Sequence, residues 1–169
     1  MTILETKRTL VRHATHDDAP FILQLLNEPG WIRFIGDRNI RDLDAARDYI
    51  DERLLSSYLK HGFGSYIVIE KATHMAIGLC GFVKRDTLDA PDIGYAITES
   101  RQGMGYAFEV SNALIDYGYD TLGFERIFGY TLPDNTVSLK LLTKLGLTYE
   151  RDQDVNNSGE ICKLFVKVA

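Results

Sequence analysis

The chain has 169 residues, 45% hydrophobic and 25% charged, with a net charge of −5. That length and balance predict one domain, residues 1–169, with a full-sized core, and exclude a disordered chain. No apolar run reaches the length of a membrane span, MTILETKRTL lacks a signal-peptide core, and no basic stripe offers itself to nucleic acid. The expectation is therefore a cytoplasmic protein with no membrane or nucleic-acid partner, whose mildly acidic surface favours cationic partners such as amines. Cys80 and Cys162 read as two buried reduced thiols, and His13, His16, His61 and His74 form no metal-ligand pattern, so no metal is expected.

In chain order, Leu4 to Arg12 reads as a first strand. Thr15-His16-Asp17-Asp18 is a capping box for a helix through Phe21, Leu25 and Leu26, stopped by Glu28-Pro29-Gly30. An irregular aromatic segment, Trp31 to Asn39, separates it from a second helix that Asp42 can cap, with Leu43, Ala46, Ile50 and Leu54 on one face. Ser65 to Glu70 and Met75 to Lys84 read as strands, the second interrupted by Gly78 and Gly81, which mark a bulge or a close backbone neighbour. Ile93 to Ile97 is a buried strand, and Ala107, Val110, Leu114 and Tyr117 recur at helical spacing as far as Leu122-Gly123. Arg126 to Thr131 is a strand, Val137, Leu141 and Leu145 mark a helix stopped at Gly146, and Leu147 to Arg151 and Glu160 to Val168 are the last strands. The predicted fold class is α/β, a mixed sheet with helices on both faces in the order β-α-α-β-β-β-α-β-α-β-β.

Between the strand ending at Ile97 and the helix from Ala107 lies Gln102-Gly103-Met104-Gly105-Tyr106-Ala107. Strand, glycine turn and helix together hold an anion, because glycine lets the backbone come close and the first helical N–H groups point at it. A P-loop needs Lys and Ser or Thr after its last glycine, and Tyr106 and Ala107 stand there instead. A dinucleotide fingerprint needs Gly or Ala where Phe108 stands. The remaining pattern, Q/R-x-x-G-x-G/A, is satisfied by Gln102, Gly105 and Ala107. Gly94 marks a bulge or a close-packed neighbour in the strand before it.

The pattern resembles the acetyl-CoA-binding motif of the GNAT N-acetyltransferases, in particular the branch of the ribosomal-protein alanine N-acetyltransferases. Tyr130-Thr131-Leu132-Pro133-Asp134-Asn135-Thr136-Val137-Ser138, running on to Lys144-Leu145-Gly146-Leu147, resembles the other half of that family's cofactor site. Read locally, Asp134 or Asn135 caps the helix and Ser138 closes its first turn. The element order is also that of the GNAT fold, so the resemblance spans nearly the whole chain.

The resemblance implies acetyl-CoA as co-substrate, held by Ile97, Gln102, Gly103, Met104, Gly105, Tyr106, Ala107, Asn135 and Ser138, with pantetheine between two splayed parallel strands. It implies Ser138 as partner of the leaving thiolate, with Tyr130 a second candidate, and an acceptor wall of Trp31, Arg33 and Phe34. Acyl transfer also needs a donor to the oxyanion, which a backbone N–H near Tyr95 or Ala96 can supply. No general base is evident: the helix macrodipole explains Glu109 as well as catalysis does, and Glu160 reads as a strand-end carboxylate. The implied function is transfer of an acetyl group to a primary amine, a protein N-terminus or a small molecule, by a monomer or a homodimer. Two alternatives stay open: a non-catalytic CoA-binding sensor or interaction module on the same fold, and, more distantly, a nicotinamide oxidoreductase.

Overall fold

β-Branched and aromatic residues run from Tyr66 to Ile69 within Ser65–Glu70 (β3), apolar residues and two glycines make up Met75–Val83 (β4), and these two strands pair antiparallel near the middle of the sheet. The structure, a computed structural model, describes residues 1–169 as one eight-stranded mixed sheet with helices on both faces. The remaining strands are Thr2–Glu5 (β1), Thr9–Arg12 (β2), Asp92–Ile97 (β5), Arg126–Thr131 (β6), Thr148–Gln153 (β7) and Cys162–Val168 (β8). Their spatial order is β1-β2-β3-β4-β5-β6-β8-β7, antiparallel throughout except for the parallel pair β5 and β6. A parallel pair needs a crossover, which the helix Tyr106–Asp120 supplies. No helix is long and apolar enough to cross a membrane.

Three predicted boundaries change. The segment read as one strand from Leu4 to Arg12 is a hairpin, β1 and β2, closed where the Thr6 N–H donates to the Thr9 carbonyl at 2.9 Å. Pro29, read as a stop, opens a further helix, because a residue with no N–H loses nothing at the first helical position. The helices are thus Ala19–Leu26 (α1), Pro29–Phe34 (α2), Leu43–Tyr49 (α3), Ser56–His61 (α4), Tyr106–Asp120 (α5) and Thr136–Lys144 (α6). The stretch read as one second helix is α3 and α4 joined by a π-helical stretch, Ile50–Leu55. Asp42 caps α3 as expected, its Oδ1 accepting from the Ala45 N–H at 2.7 Å.

Two packed layers hold the sheet. On one face α5 and α6 cover Val68, Phe82, Ile93 and Ile127, and α5 contributes the fully buried Val110, Leu114 and Ile115. Each of these stabilises by about 1.5–3 kcal/mol, so the start of α5 rests on a rigid platform. On the other face α1 and the helices after it pack through Ile22, Leu25, Trp31, Ala46 and Ile50 onto Ile67 and Leu79. A smaller cluster of Leu88, Phe128, Val155, Cys162 and Leu164 continues that layer towards β8. Gly78 and Gly81 behave as their positions predict. A β-carbon on Gly81 would stand 2.1 Å from the Gly64 carbonyl oxygen, and β4 carries a bulge at Ile77, next to Gly78.

Candidate active site

The sheet is open at its centre. β5 pairs with β4 without interruption from Asp92 to Ile97, yet its only register partner on β6 is Asp92 with Phe128. The Phe128 N–H donates to the Pro91 carbonyl at 2.9 Å, and beyond that point the strands part. Antiparallel hydrogen bonding alternates, and the Thr98 N–H donates to the Ile77 carbonyl at 2.8 Å. Gly94 and Ala96 therefore bond towards β4, whereas Tyr95 and Ile97 turn their backbone groups towards the gap. The Ile97 carbonyl is taken by Gln102 Nε2 at 2.9 Å, and the Tyr95 backbone has no strand partner there. Of the two donors considered from the sequence, Tyr95 and not Ala96 faces the opening. Gly94, Tyr95 and Ala96 are half-buried although they lie mid-strand, between Ile93 at 3% and Ile97 at 7% exposure.

The gap leads to the glycine turn. Gly103 (φ +74°) and Gly105 (φ +83°) occupy the left-handed region that a side chain disfavours, which is why glycine stands at both. No N–H from Gly103 through Phe108 finds an acceptor within the protein; the next, that of Glu109, donates to the Gly105 carbonyl at 3.0 Å. This row of free donors sits on the positive end of a 15-residue helix, with Gln102 to Gly105 exposed.

Side chains distant in sequence hold the turn still. Arg8 Nη1 donates to the Met104 carbonyl at 2.9 Å, its Nε reaches Glu109 Oε2 at 2.7 Å, and its guanidinium lies 4.1 Å above the Tyr106 ring. Glu109 also accepts from Thr6 Oγ1 at 2.7 Å; burial works against its ionised form, but the bonds from Thr6 and Arg8 outweigh that and lower its pKa. It is an anchor of the turn, not a free base. On the other side Glu70 accepts from Tyr106 Oη at 2.6 Å and pairs with Arg101 at 2.9 Å. Arg101 first, then Tyr106 and Thr73, hold its pKa down at about 2.

Across the gap, α6 begins at Asn135, whose Oδ1 accepts from the Ser138 backbone N–H at 3.2 Å. The Ser138 hydroxyl is left free of the cap and lies 2.6 Å from the Tyr95 hydroxyl. Burial pushes the Tyr95 phenol up to about 12, against the opposite pull of the Ser138 bond, so it stays protonated. The structure thus brings Tyr95, Asn135 and Ser138 together. Tyr130 is not with them: it lies on the other face of the sheet, under the Arg85 guanidinium at 4.9 Å, its hydroxyl donating to Asn156 Oδ1 at 3.3 Å. Glu160 is exposed, just outside β8.

The three residues predicted for the acceptor wall lie on α2, not on irregular chain, and the structure divides them. Trp31 is a core residue at 9% exposure, with its indole Nε1 unpartnered. Phe34 is half-buried, under the Arg33 guanidinium at 4.6 Å, and exposed Arg33 lies 3.5 Å from Asp134. Glu28 fixes this helix to the end of β5, accepting from Thr98 Oγ1 at 2.5 Å and from the Glu99 N–H at 3.0 Å. So α2 spans from β5 to the turn before α6, across the opening. The sequence reading missed Arg8, Arg101 and the buried pair of Asp92 and Arg85 at 2.8 Å. Burial raises the Asp92 carboxyl to about 6 while Arg85 pulls it down. Only Asp92 carried a signal, a charge at the start of an apolar strand.

Residues 8–148 match a family model described as an acetyltransferase (GNAT) domain. The chain is 32% identical over 151 residues to p20, an uncharacterized N-acetyltransferase of Bacillus licheniformis, covering 89% of this chain and 84% of that protein. Its fold is that of RimL, the ribosomal L7/L12 alpha-N-protein acetyltransferase solved with coenzyme A, at a TM-score of 0.84, 17% identity and coverage of 99% and 98%. The ribosomal-protein-S5-alanine acetyltransferase of Vibrio fischeri matches at 0.79, with 22% identity and coverage of 99% and 96%. An opened parallel strand pair, a row of unpaired amides at a glycine-led helix and a match over most of the sequence converge on one assignment: the chain is an acetyltransferase of the GNAT family.

Proposed function

We propose that this enzyme transfers the acetyl group of acetyl-CoA to a primary amine, a protein N-terminus or a small-molecule amine, by direct attack within one domain spanning residues 1–169. The observation that carries this reading is two sets of unpaired backbone groups, at Gly103–Phe108 and at Tyr95, which fit an anionic diphosphate at one end and an amide-bearing arm at the other. Bound acetyl-CoA supplies a thioester already activated for acyl transfer. The amides of Gly103 to Phe108 bind the diphosphate, with Gln102 holding the Ile97 carbonyl and thereby the turn's approach to β5. The Tyr95 N–H donates to the carbonyl oxygen as it gains charge. The Ser138 hydroxyl, aligned by Tyr95 Oη and by the Asn135 cap, donates to the sulfur as it leaves. Arg33 and Phe34 form the rim over which the acceptor enters, and Trp31 supports them from the core. Tyr130 has no part in this sequence of steps, because its hydroxyl is turned to Asn156.

An amine acceptor accords with the acetyltransferases of matching fold, two of which are named for ribosomal-protein substrates. The test is thiol release from acetyl-CoA with a panel of amines and N-terminal peptides, with mass detection of the product. Amine-dependent release with an N-acetylated product supports the reading. Tight acetyl-CoA binding with no transfer to any amine, or transfer to an alcohol or thiol instead, overturns it.

A further inference from the structure

Glycine within a sheet is explained by a left-handed backbone, a bulge or a neighbour too close for a β-carbon. Gly94 meets none of these conditions. Its φ is outside the left-handed region, its register with Gly81 is regular, and a β-carbon built on it meets nothing within 4 Å. Both sequence-based expectations for it, a bulge and close packing, are therefore corrected. The contrast within the same sheet is sharp: a β-carbon would stand 2.6 Å from the Ala96 carbonyl oxygen at Gly78 and 2.6 Å from Leu142 Cδ2 at Gly129. The feature at Gly94 is open space, in the middle of a central strand.

That space lies on a defined face. Ile93, Tyr95 and Ile97 point to the α5 side, and Ala96 points to the layer of α1 and α3, so a side chain at 94 would join Ala96. Along the strand the space is bounded by Ala96 and by Asp92 with its Arg85 partner. It belongs to the residue next to Tyr95, whose N–H faces the gap. On the reading proposed above, whatever fills it adjoins the residue that serves the reacting carbonyl.

We propose that Gly94 is a specificity-determining residue for the acceptor: its missing side chain makes room for a substituent on the carbon that bears the attacking nitrogen. This rests on the amine-transfer reading above and adds the size rule to it. An amine substituted at that carbon fits the open space, and an added side chain at 94 competes with the substituent, not with the nitrogen.

The experiment compares glycinamide with leucinamide, and tripeptides beginning with Gly and with Leu, as acceptors for the full chain and for Gly94→Ala and Gly94→Val. A methyl in such a pocket discriminates about 10–200-fold. The leucine-to-glycine ratio of kcat/KM is expected to fall about tenfold in Gly94→Ala and further in Gly94→Val, with acetyl-CoA affinity unaltered. The melting temperature should equal or exceed that of the parent, since a mid-strand glycine is replaced by better strand formers. A merely structural glycine would lower both acceptors in proportion, and that result, or an unchanged ratio, overturns the inference while leaving acetyl transfer standing. If the parent protein acetylates neither partner of either pair but does acetylate another amine of the panel, the inference falls and amine transfer stands; transfer to no amine at all overturns both.

Discussion

Ser138→Ala separates chemistry from architecture at this site. The cap of α6 is made by the Ser138 backbone N–H and the Asn135 side chain at 3.2 Å, so alanine leaves it in place. What is lost is the hydroxyl, whose only side-chain partner is Tyr95 Oη at 2.6 Å. A hydrogen bond of this kind contributes about 0.5–1.5 kcal/mol net, and a buried partner left unsatisfied costs about 1–3 kcal/mol. Half-buried Tyr95 lies beside the open gap, so the lower part of that range applies and the variant folds. Turnover should fall much further. A positioned acid contributes about 10²–10⁴-fold, or about 2.7–5.4 kcal/mol of transition-state stabilisation. The assay pairs single-turnover thiol release with thermal unfolding and acetyl-CoA titration on the same protein. Turnover within a few-fold of the parent, with stability reduced by about 1 kcal/mol, would show that Ser138 serves the fold and would refute the role given to it.

Three further outcomes follow from the geometry. Gly105→Val forces a β-branched residue to φ +83°, about 1–2 kcal/mol of strain; the turn relaxes, and acetyl-CoA affinity should fall tenfold or more by calorimetry while circular dichroism shows the fold intact. Arg85→Met leaves the buried Asp92 carboxylate alone and should destabilise by about 3–5 kcal/mol. Burial raises Asp92 to about 6 in the parent while Arg85 pulls it down, so the variant's carboxyl takes up its proton at a higher pH; the loss should be largest well above pH 6 and shrink as pH falls towards 6, which unfolding series at several pH values will show. The rate should rise with pH until the acceptor amine is neutral, levelling near about 8 for an α-amino group and well above that for a lysine side chain near about 10.4.

The parts of the site legible in the sequence are those whose geometry demands a particular residue at short range. Gly103 and Gly105 stand at positive φ, Asn135 reaches an N–H three residues on, and Asp42 does the same for α3. β3, β5, β6 and β8 were legible for a local reason too, their β-branched and aromatic residues, whereas β1 and β2 read as one strand because nothing between Glu5 and Thr9 breaks the pattern. What stayed hidden depends on partners far along the chain. Arg8 meets Glu109 across 101 residues, and Arg101 meets Glu70 across 31, so nothing near either arginine announces an anchor of the glycine turn. Pro29 carries the same local signal for ending one helix and for beginning the next, and only the contact of Glu28 with Thr98 and Glu99 decides it. Gly94 was visible as a letter, but its reason is a volume left empty, which no neighbouring residue encodes.

In the proposed mechanism the free backbone amides of Gly103 to Phe108, and then that of Tyr95, receive the donor. Backbone amide resonances followed during titration with coenzyme A and with acetyl-CoA test it residue by residue. Large shifts are expected for Gly103 through Phe108 and for Tyr95, with Ala96, bonded to β4, responding less. Saturable binding that leaves the amides of 103–108 and Tyr95 unmoved, while others shift, would contradict it.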